Sequence, residues 1–179
     1  MIGSVTEAIE IASWEMELDE HDEWYDIPEG WTYLGEGEYR AAFLSPSGVV
    51  YKREINDGIF FGHNSVEFSN VRKAQGIPVQ GWRVPDSELY QVPVGYSIVN
   101  VIAMEFIGGE FDVYCELNYG KKCTCGKPYG KCTYYAWLEV MELWGVTDVH
   151  RGNVRVQYDG TRVLIDVAGD SEDCYEEVA

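Results

Sequence analysis

Apolar positions near the start of the chain recur every three to four residues, at Val5, Ile9, Ala12 and Met16, with Ile11 and Leu18 widening the stripe. That period predicts an acidic amphipathic helix over residues 4–25. Pro28-Glu29-Gly30 breaks the chain. From Trp31 the pattern alternates as in strands, over residues 31–34, 39–44 and 49–53. Ser45-Pro46-Ser47-Gly48 supplies a turn between the last two, so the three form an antiparallel meander. Residues 64–75 read as a helix. Asn64 is its expected N-cap and Glu67, three positions on, completes a capping box; Gly76 and Pro78 stop it. Residues 85–96 read as irregular and residues 98–106 as a buried strand ending at Gly108-Gly109. A glycine- and cysteine-rich loop covers residues 121–131, and a helix over 134–144 is closed by Gly145. There is no internal repeat or low-complexity tract.

The sharpest local pattern lies near the C-terminus. Two short strands, residues 154–158 and 161–166, flank Asp159-Gly160, a strong signal for a two-residue hairpin loop. Such a loop places Tyr158 opposite Thr161, and therefore Asn153 opposite Asp166 at the open end, with Cβ atoms roughly 4.5–5.5 Å apart. Asp148 lies just upstream in the loop entering the same end.

Composition narrows the function classes. The chain has 179 residues, 46% apolar and 14% aromatic, which suits one domain with a real core and excludes disorder throughout. Thirty-one acidic residues against 13 basic ones give a net charge of −18, the reverse of what phosphate neutralisation on nucleic acid needs. An anionic membrane surface would also repel it. Ten of the acids lie in the first thirty residues, which hold no Lys or Arg. No apolar run approaches a membrane span, and residues 1–10 carry neither the basic nor the apolar region of a signal peptide. Five cysteines, an odd number, suit a reducing compartment, so the expected location is cytoplasmic, in the host cytoplasm if the protein is viral.

The candidate chemistry follows from residue types and spacing. An amide oxygen and a carboxylate side by side, Asn153 and Asp166, suit magnesium, which takes oxygen ligands and keeps waters or phosphates. Asp148 would orient or deprotonate a hydroxyl. Taken singly, all three also fit turn and strand-end roles. Glu67 shares a helix face with Val71 and Ala74, and an unpaired buried acid is costly, so Lys52 at the end of the third strand is its expected partner. Capping of the helix by Glu67 is the alternative. Gly35 and Gly37 at the first strand corner would let backbone amides approach phosphates, although hairpin corners often hold glycines for their own geometry.

In order, Leu34-Gly35-Glu36-Gly37-Glu38-Tyr39-Arg40, Val50-Tyr51-Lys52, Glu67, Met104-Glu105-Phe106, Asp148-Val149-His150-Arg151-Gly152-Asn153 and Ile165-Asp166 resemble the protein-kinase-like superfamily. The Asp-x-His-x-x-Asn loop is similar to that of aminoglycoside and choline phosphotransferases, and the shortness resembles small kinase-like proteins of bacteriophages. The resemblance spans residues 31–169. It implies a truncated α+β kinase-like fold: an antiparallel N-lobe sheet with one helix, a hinge, and a reduced C-lobe with a catalytic-loop hairpin. It further implies ATP and magnesium as cofactors. Gly35 and Gly37 would lie over the phosphates, and Lys52, held by Glu67, on the α/β-phosphates. Backbone around Glu105 and Ile107 would meet the adenine beside Met104. Asp148 would be the catalytic base, with Asn153 and Asp166 holding magnesium. The sequence departs from the family pattern at Arg40, in place of the third loop glycine, and at Val146-Thr147 and Val167-Ala168 around the two aspartates. With 13 residues after Asp166, the activation segment and most of a helical C-lobe have no sequence to build them.

The expected organisation is an acidic N-terminal helix (1–30), an N-lobe and hinge (31–107), a reduced C-lobe with a Cys/Lys-rich insertion (108–169) and an acidic tail (170–179). Within the insertion, Cys115, Cys123, Cys125 and Cys132 offer four thiolates for zinc, or are free thiols in a loop. Lys121, Lys122, Lys127 and Lys131 form a basic patch there. The expected activity is phosphoryl transfer from ATP to a hydroxyl of an unidentified protein or small molecule. The rival is a non-catalytic protein, either a pseudokinase or an acidic interaction or inhibitor protein for a basic partner. Direct nucleic-acid and membrane binding are not expected, and a foreshortened C-lobe is compatible with a homo-oligomer.

Overall fold

The computed structural model of the chain describes residues 2–14, 27–37, 39–55, 62–112, 133–147 and 149–167. It divides into two compact units: residues 1–68 with 86–106, and residues 69–85 with 107–179. The boundary therefore does not follow chain order, because residues 69–85 join the second unit.

The first unit is a five-stranded antiparallel sheet. Its strands are β1 (Thr32–Glu36), β2 (Arg40–Leu44), β3 (Val49–Glu54), β5 (Ser87–Val94) and β6 (Ser97–Glu105), in the order β1-β2-β3-β6-β5. Side chains alternate between faces along each strand. Ala41, Phe43, Tyr51, Val101 and Ala103 form one core with helix α1 (Val5–Ser13), while Val50, Ile102 and Met104 form another with Phe68 of helix α2 (His63–Gln75). The alternation also decides where the polar residues of β3 go. Tyr51 and Arg53 fall on the α1 side, Lys52 and Glu54 on the α2 side.

Helix α1 ends at Ser13, while residues 15–25 of its expected span of 4–25 lie outside the described residues, and its buried face is rotated. Ser4 caps it by accepting the Glu7 N–H, and Trp14 turns extended at φ −67°, ψ 130°. Ala8, Ile11 and Ala12 are buried, whereas Val5 and Ile9, expected inside, are exposed. The Arg53 guanidinium donates to the Trp14 carbonyl and so satisfies the helix end with a cation, as the helix dipole favours. The Tyr51 hydroxyl accepts from the Ser4 N–H at 2.8 Å and donates to Glu7 at 2.9 Å. The N-terminal helix is thus an integral layer of this unit.

Strand β5, expected to be irregular, pairs with β6 along its whole length, from Ser87 opposite Met104 to Val94 opposite Ser97. It is an edge strand, which is why Pro93, lacking an N–H, is tolerated within it. Gly95 at φ 59° begins the two-residue turn that joins the pair.

The second unit contains β4 (Trp82–Arg83), β7 (Glu110–Phe111), helix α3 (Thr133–Trp144), β8 (Val154–Val156) and β9 (Arg162–Leu164). Its sheet has the order β4-β9-β8-β7, with β4 parallel to β9. Its core gathers Val71, Ala74, Trp82, Val84, Trp137, Val140, Trp144, Val154 and Leu164. The Trp144 indole donates to the Ile77 carbonyl at 2.8 Å, and Gly145, at φ 67°, ends α3 as expected. Buried Asp112 accepts from the Trp137 indole at 2.9 Å and from Arg162 at 2.8 Å. The expected α+β class is present in these parts: an antiparallel N-terminal sheet with its helix, then a second unit built around a C-terminal hairpin. No helix among the described residues is long and apolar enough to cross a membrane.

Candidate functional site

A buried polar cluster lies on the α2 side of the first sheet. Lys52 Nζ donates to Glu67 Oε1 at 2.6 Å, and the Glu67 side chain has no solvent exposure. This is the pairing demanded by an acid on the buried face of α2. The second carboxylate oxygen, Oε2, is taken by Arg40. The sequence marks Arg40 only as a departure from the loop's third glycine, not as a partner of Glu67. Its position nevertheless follows from the ladder, since Arg40 stands opposite Glu54 and Ala42 opposite Lys52, which puts Arg40, Lys52 and Glu54 on one face.

Glu54 carries a second unexpected role. Its Oε1 accepts the N–H groups of Gly62 at 3.2 Å and Asn64 at 2.7 Å, satisfying donors at the start of α2. The expected capping box of Asn64 and Glu67 is therefore corrected. Helix α2 starts at His63, Asn64 lies inside its first turn, and Glu67 faces Lys52 and Arg40. The Asn64 amide instead ties β3 to β6, donating to the carbonyls of Lys52 at 2.9 Å and Asn100 at 2.7 Å. Sequence reasoning missed Glu54 because its partners are distant in pattern, although its period-two relation to Lys52 was visible.

The glycine corner is open. Gly35 sits at a bulge where the β1–β2 register shifts, at φ 148°, and an added Cβ at Gly35 or Gly37 would meet nothing within 4 Å. The Gly37 N–H donates to the Arg40 carbonyl at 2.9 Å and so closes the turn. At the far end of β6, Met104 is buried against Val50 and Ile102, and the Glu105 N–H donates to the Asp86 carbonyl at 3.0 Å. Ile107 is buried in the second unit.

In the second unit the hairpin register differs from expectation by one residue. Val154 stands opposite Leu164 and Val156 opposite Arg162, while the Gln157 N–H donates to Thr161 and the Gly160 N–H back to Gln157. The loop is thus three residues, Tyr158 to Gly160, with Gly160 at φ 85° as the left-handed third residue. Asp159 favours this form by accepting the Thr161 N–H at 2.9 Å. Asn153 consequently stands opposite Ile165, whose N–H it accepts at 2.8 Å, and Asp166 is one residue beyond. Asn153 itself belongs to a short 3-10 turn, Arg151–Asn153, capped by His150 Nδ1 accepting the Gly152 N–H at 3.0 Å. Strand alternation therefore stops at Val154. Asp148, Cys115, Cys123, Cys125, Cys132 and the four lysines of the insertion lie outside the described residues. Among the described residues, no three His, Cys, Asp or Glu side chains gather as a metal cage.

No model of a known protein family matches the chain, and no curated protein matches it. Among solved structures, a MAP kinase from Leishmania major is similar at 14% identity with a TM-score of 0.37. The match covers 79% of this chain and 47% of that one, so the chain spans about half the length of that kinase. A superposition so loose carries no weight for the fold, which rests on the sheet order and helix placement within each unit.

Proposed function

We propose that the chain is a small kinase-like phosphotransferase that binds ATP with magnesium and passes the terminal phosphoryl group to a hydroxyl of a protein or small molecule. The observation that carries this reading is the buried Lys52–Glu67 pair joining β3 to α2. A carboxylate on a helix fixes the ammonium at the end of a rigid strand, and a fixed cation is what phosphate recognition requires, since phosphoryl transfer depends on positioning and charge neutralisation. The open corner at Gly35 and Gly37 is compatible with close approach of phosphates. In this reading the backbone around Glu105 and Ile107, with Met104, meets the adenine, and Asp148 accepts the proton of the attacking hydroxyl. Asn153 and Asp166 present an amide and a carboxylate oxygen, donor types that suit magnesium. Magnesium, when bound, would offset phosphate charge.

A second reading, nucleotide binding without turnover, is favoured by the register that sets Asn153 opposite Ile165 rather than Asp166. One experiment separates them. ATP–magnesium at about a hundred times its dissociation constant stabilises by about 2.7 kcal/mol, a Tm rise of roughly 5–11 °C for a chain this size. That rise is expected for the wild type and lost in Asp166→Ala. Release of γ-phosphate or autophosphorylation, absent in Asp148→Ala, then marks catalysis. A Tm rise with no turnover identifies the pseudokinase. Indifference to ATP overturns both, and salt-sensitive binding to a basic protein would then favour the acidic interaction reading.

A further inference from the structure

Strand β9 ends at Leu164, so Asp166 lies beyond the ladder that orders the hairpin. An acid outside a strand is only as well placed as the backbone on either side of it. Both ends of the stretch Ile165-Asp166-Val167 are held. At its start, the Ile165 N–H donates to the Asn153 carbonyl at 2.8 Å, which carries the pairing one step past β9. At its end, the Asn70 side-chain amide donates to the Val167 carbonyl at 3.1 Å, across 97 positions of sequence. The Val167 side chain is fully buried in the same core as Val71 and Ala74. Asn70 and those two residues belong to the half of α2 that joins the second unit, so the whole arrangement lies within that unit. Asparagine suits a helix interior poorly, because its amide competes for nearby backbone groups. At position 70 the amide instead reaches out of the helix to a distant carbonyl.

We propose that Asn70 is a positioning residue for Asp166, fixing the far end of the backbone stretch from which this acid is presented to magnesium. The inference rests on the nucleotide-binding reading above. A buried Val167 side chain sets where that residue sits, but leaves the rotation of the peptide group after it free. The bond from Asn70 fixes that rotation. With the Ile165 end already held on Asn153, few backbone torsions remain to carry Asp166 away from its place. Residues that orient a metal ligand without touching the ion are worth about 10–100-fold in metal affinity. Asn70 acts in this way, through the backbone and not through the ion. Replacing it by alanine removes the amide and raises helix propensity, so α2 in itself loses nothing.

The test is calorimetric titration with a non-hydrolysable ATP analogue, in saturating magnesium and in EDTA, on the wild type, Asn70→Ala, Asp166→Ala and the double variant. The readout is the ratio of the two affinities, which is the enhancement that magnesium supplies. A merely structural role for Asn70 would weaken binding in both conditions and leave the ratio alone. The expected result is a ratio lowered by about tenfold or more in Asn70→Ala, with affinity in EDTA within about twofold of the wild type. Asp166→Ala should abolish the enhancement, and adding Asn70→Ala to it should change the ratio no further, because both act through one carboxylate. An unchanged ratio in Asn70→Ala, or an enhancement left in Asp166→Ala that Asn70→Ala still lowers, overturns the inference alone. A wild type without magnesium enhancement overturns the reading beneath it and this inference with it. If Asn70→Ala does not fold, a structure of the wild type with the analogue and magnesium decides. Asp166 on the ion with the Asn70 amide on the Val167 carbonyl supports the proposal; Asp166 off the ion, or that bond broken, overturns it.

Discussion

Replacing Glu67 by glutamine keeps the shape of the side chain and removes its charge, which isolates the electrostatic part of the cluster. Lys52 and Arg40 then lose the carboxylate they share; Lys52 is only 8% exposed and Arg40 is largely buried. Breaking a buried ion pair from one side costs about 3–5 kcal/mol. For a chain of this length each kcal/mol lowers Tm by about 2–4 °C, so the loss is roughly 6–20 °C. Lys52→Met is the informative contrast. It leaves Glu67 with Arg40 and places an apolar stem near Val50 and Ile102, so its cost is smaller, about 1–2 kcal/mol. The double variant closes the cycle, with an expected coupling of about 1–3 kcal/mol. Urea denaturation followed by tryptophan fluorescence measures all four, because Trp31 reports on the first unit's core and Trp82, Trp137 and Trp144 on the second's. Glu67→Gln within about 0.5 kcal/mol of the wild type, or equal in cost to Lys52→Met, would refute the account of an asymmetric three-membered cluster.

Other consequences are simpler to read. Glu54→Ala removes the acceptor for two N–H groups at the start of α2 and should cost about 1–2 kcal/mol in urea titration, the range for loss of a helix cap. Burial, with the Glu88 carboxylate it donates to, pushes the Tyr90 phenol up to about 12, and burial raises Tyr51 as well. Both folded-state values lie above the unfolded value near 10. Their contribution is therefore complete below pH 10 and declines as pH rises toward about 12. Tm measured across that window should fall less steeply in Tyr90→Phe than in the wild type. Zinc in the insertion would appear as about one metal per folded chain by elemental analysis.

The parts of this molecule that were legible in its residues are those set by local period or by the cost of burial. Helix α3, the meander β1 to β3 and strand β6 follow from alternation and from turn composition. The Lys52–Glu67 contact followed from an acid sharing a face with Val71 and Ala74. What escaped reading depended on choices that the local pattern leaves open. Glu54 accepts N–H groups at the start of α2, a role the sequence pattern assigns to Asn64. Strand β5 carries Pro93 and a half-polar pattern, acceptable only because it lies at an edge. The hairpin at Asp159-Gly160 could close with two or three loop residues, and the side-chain bond from Asp159 to the Thr161 N–H goes with the longer one. That single residue moved Asn153 from Asp166 to Ile165.

The parallel pairing of β4 with β9 bears on how the chain is made. Trp82 lies beside Arg162, so this ladder spans nearly half the sequence. The residues of the first unit have all been synthesised once the chain reaches Phe106. The segment 69–85 emerges early yet belongs to a core whose last contributors, Leu164 and Val167, arrive at the end. Until then Val71, Ala74, Trp82 and Val84 lack part of the core that covers them. Such delayed long-range closure is slow and exposes sticky surface to aggregation. Nascent chains that end between Phe106 and Leu164 are accordingly expected to expose this segment more than the completed chain does.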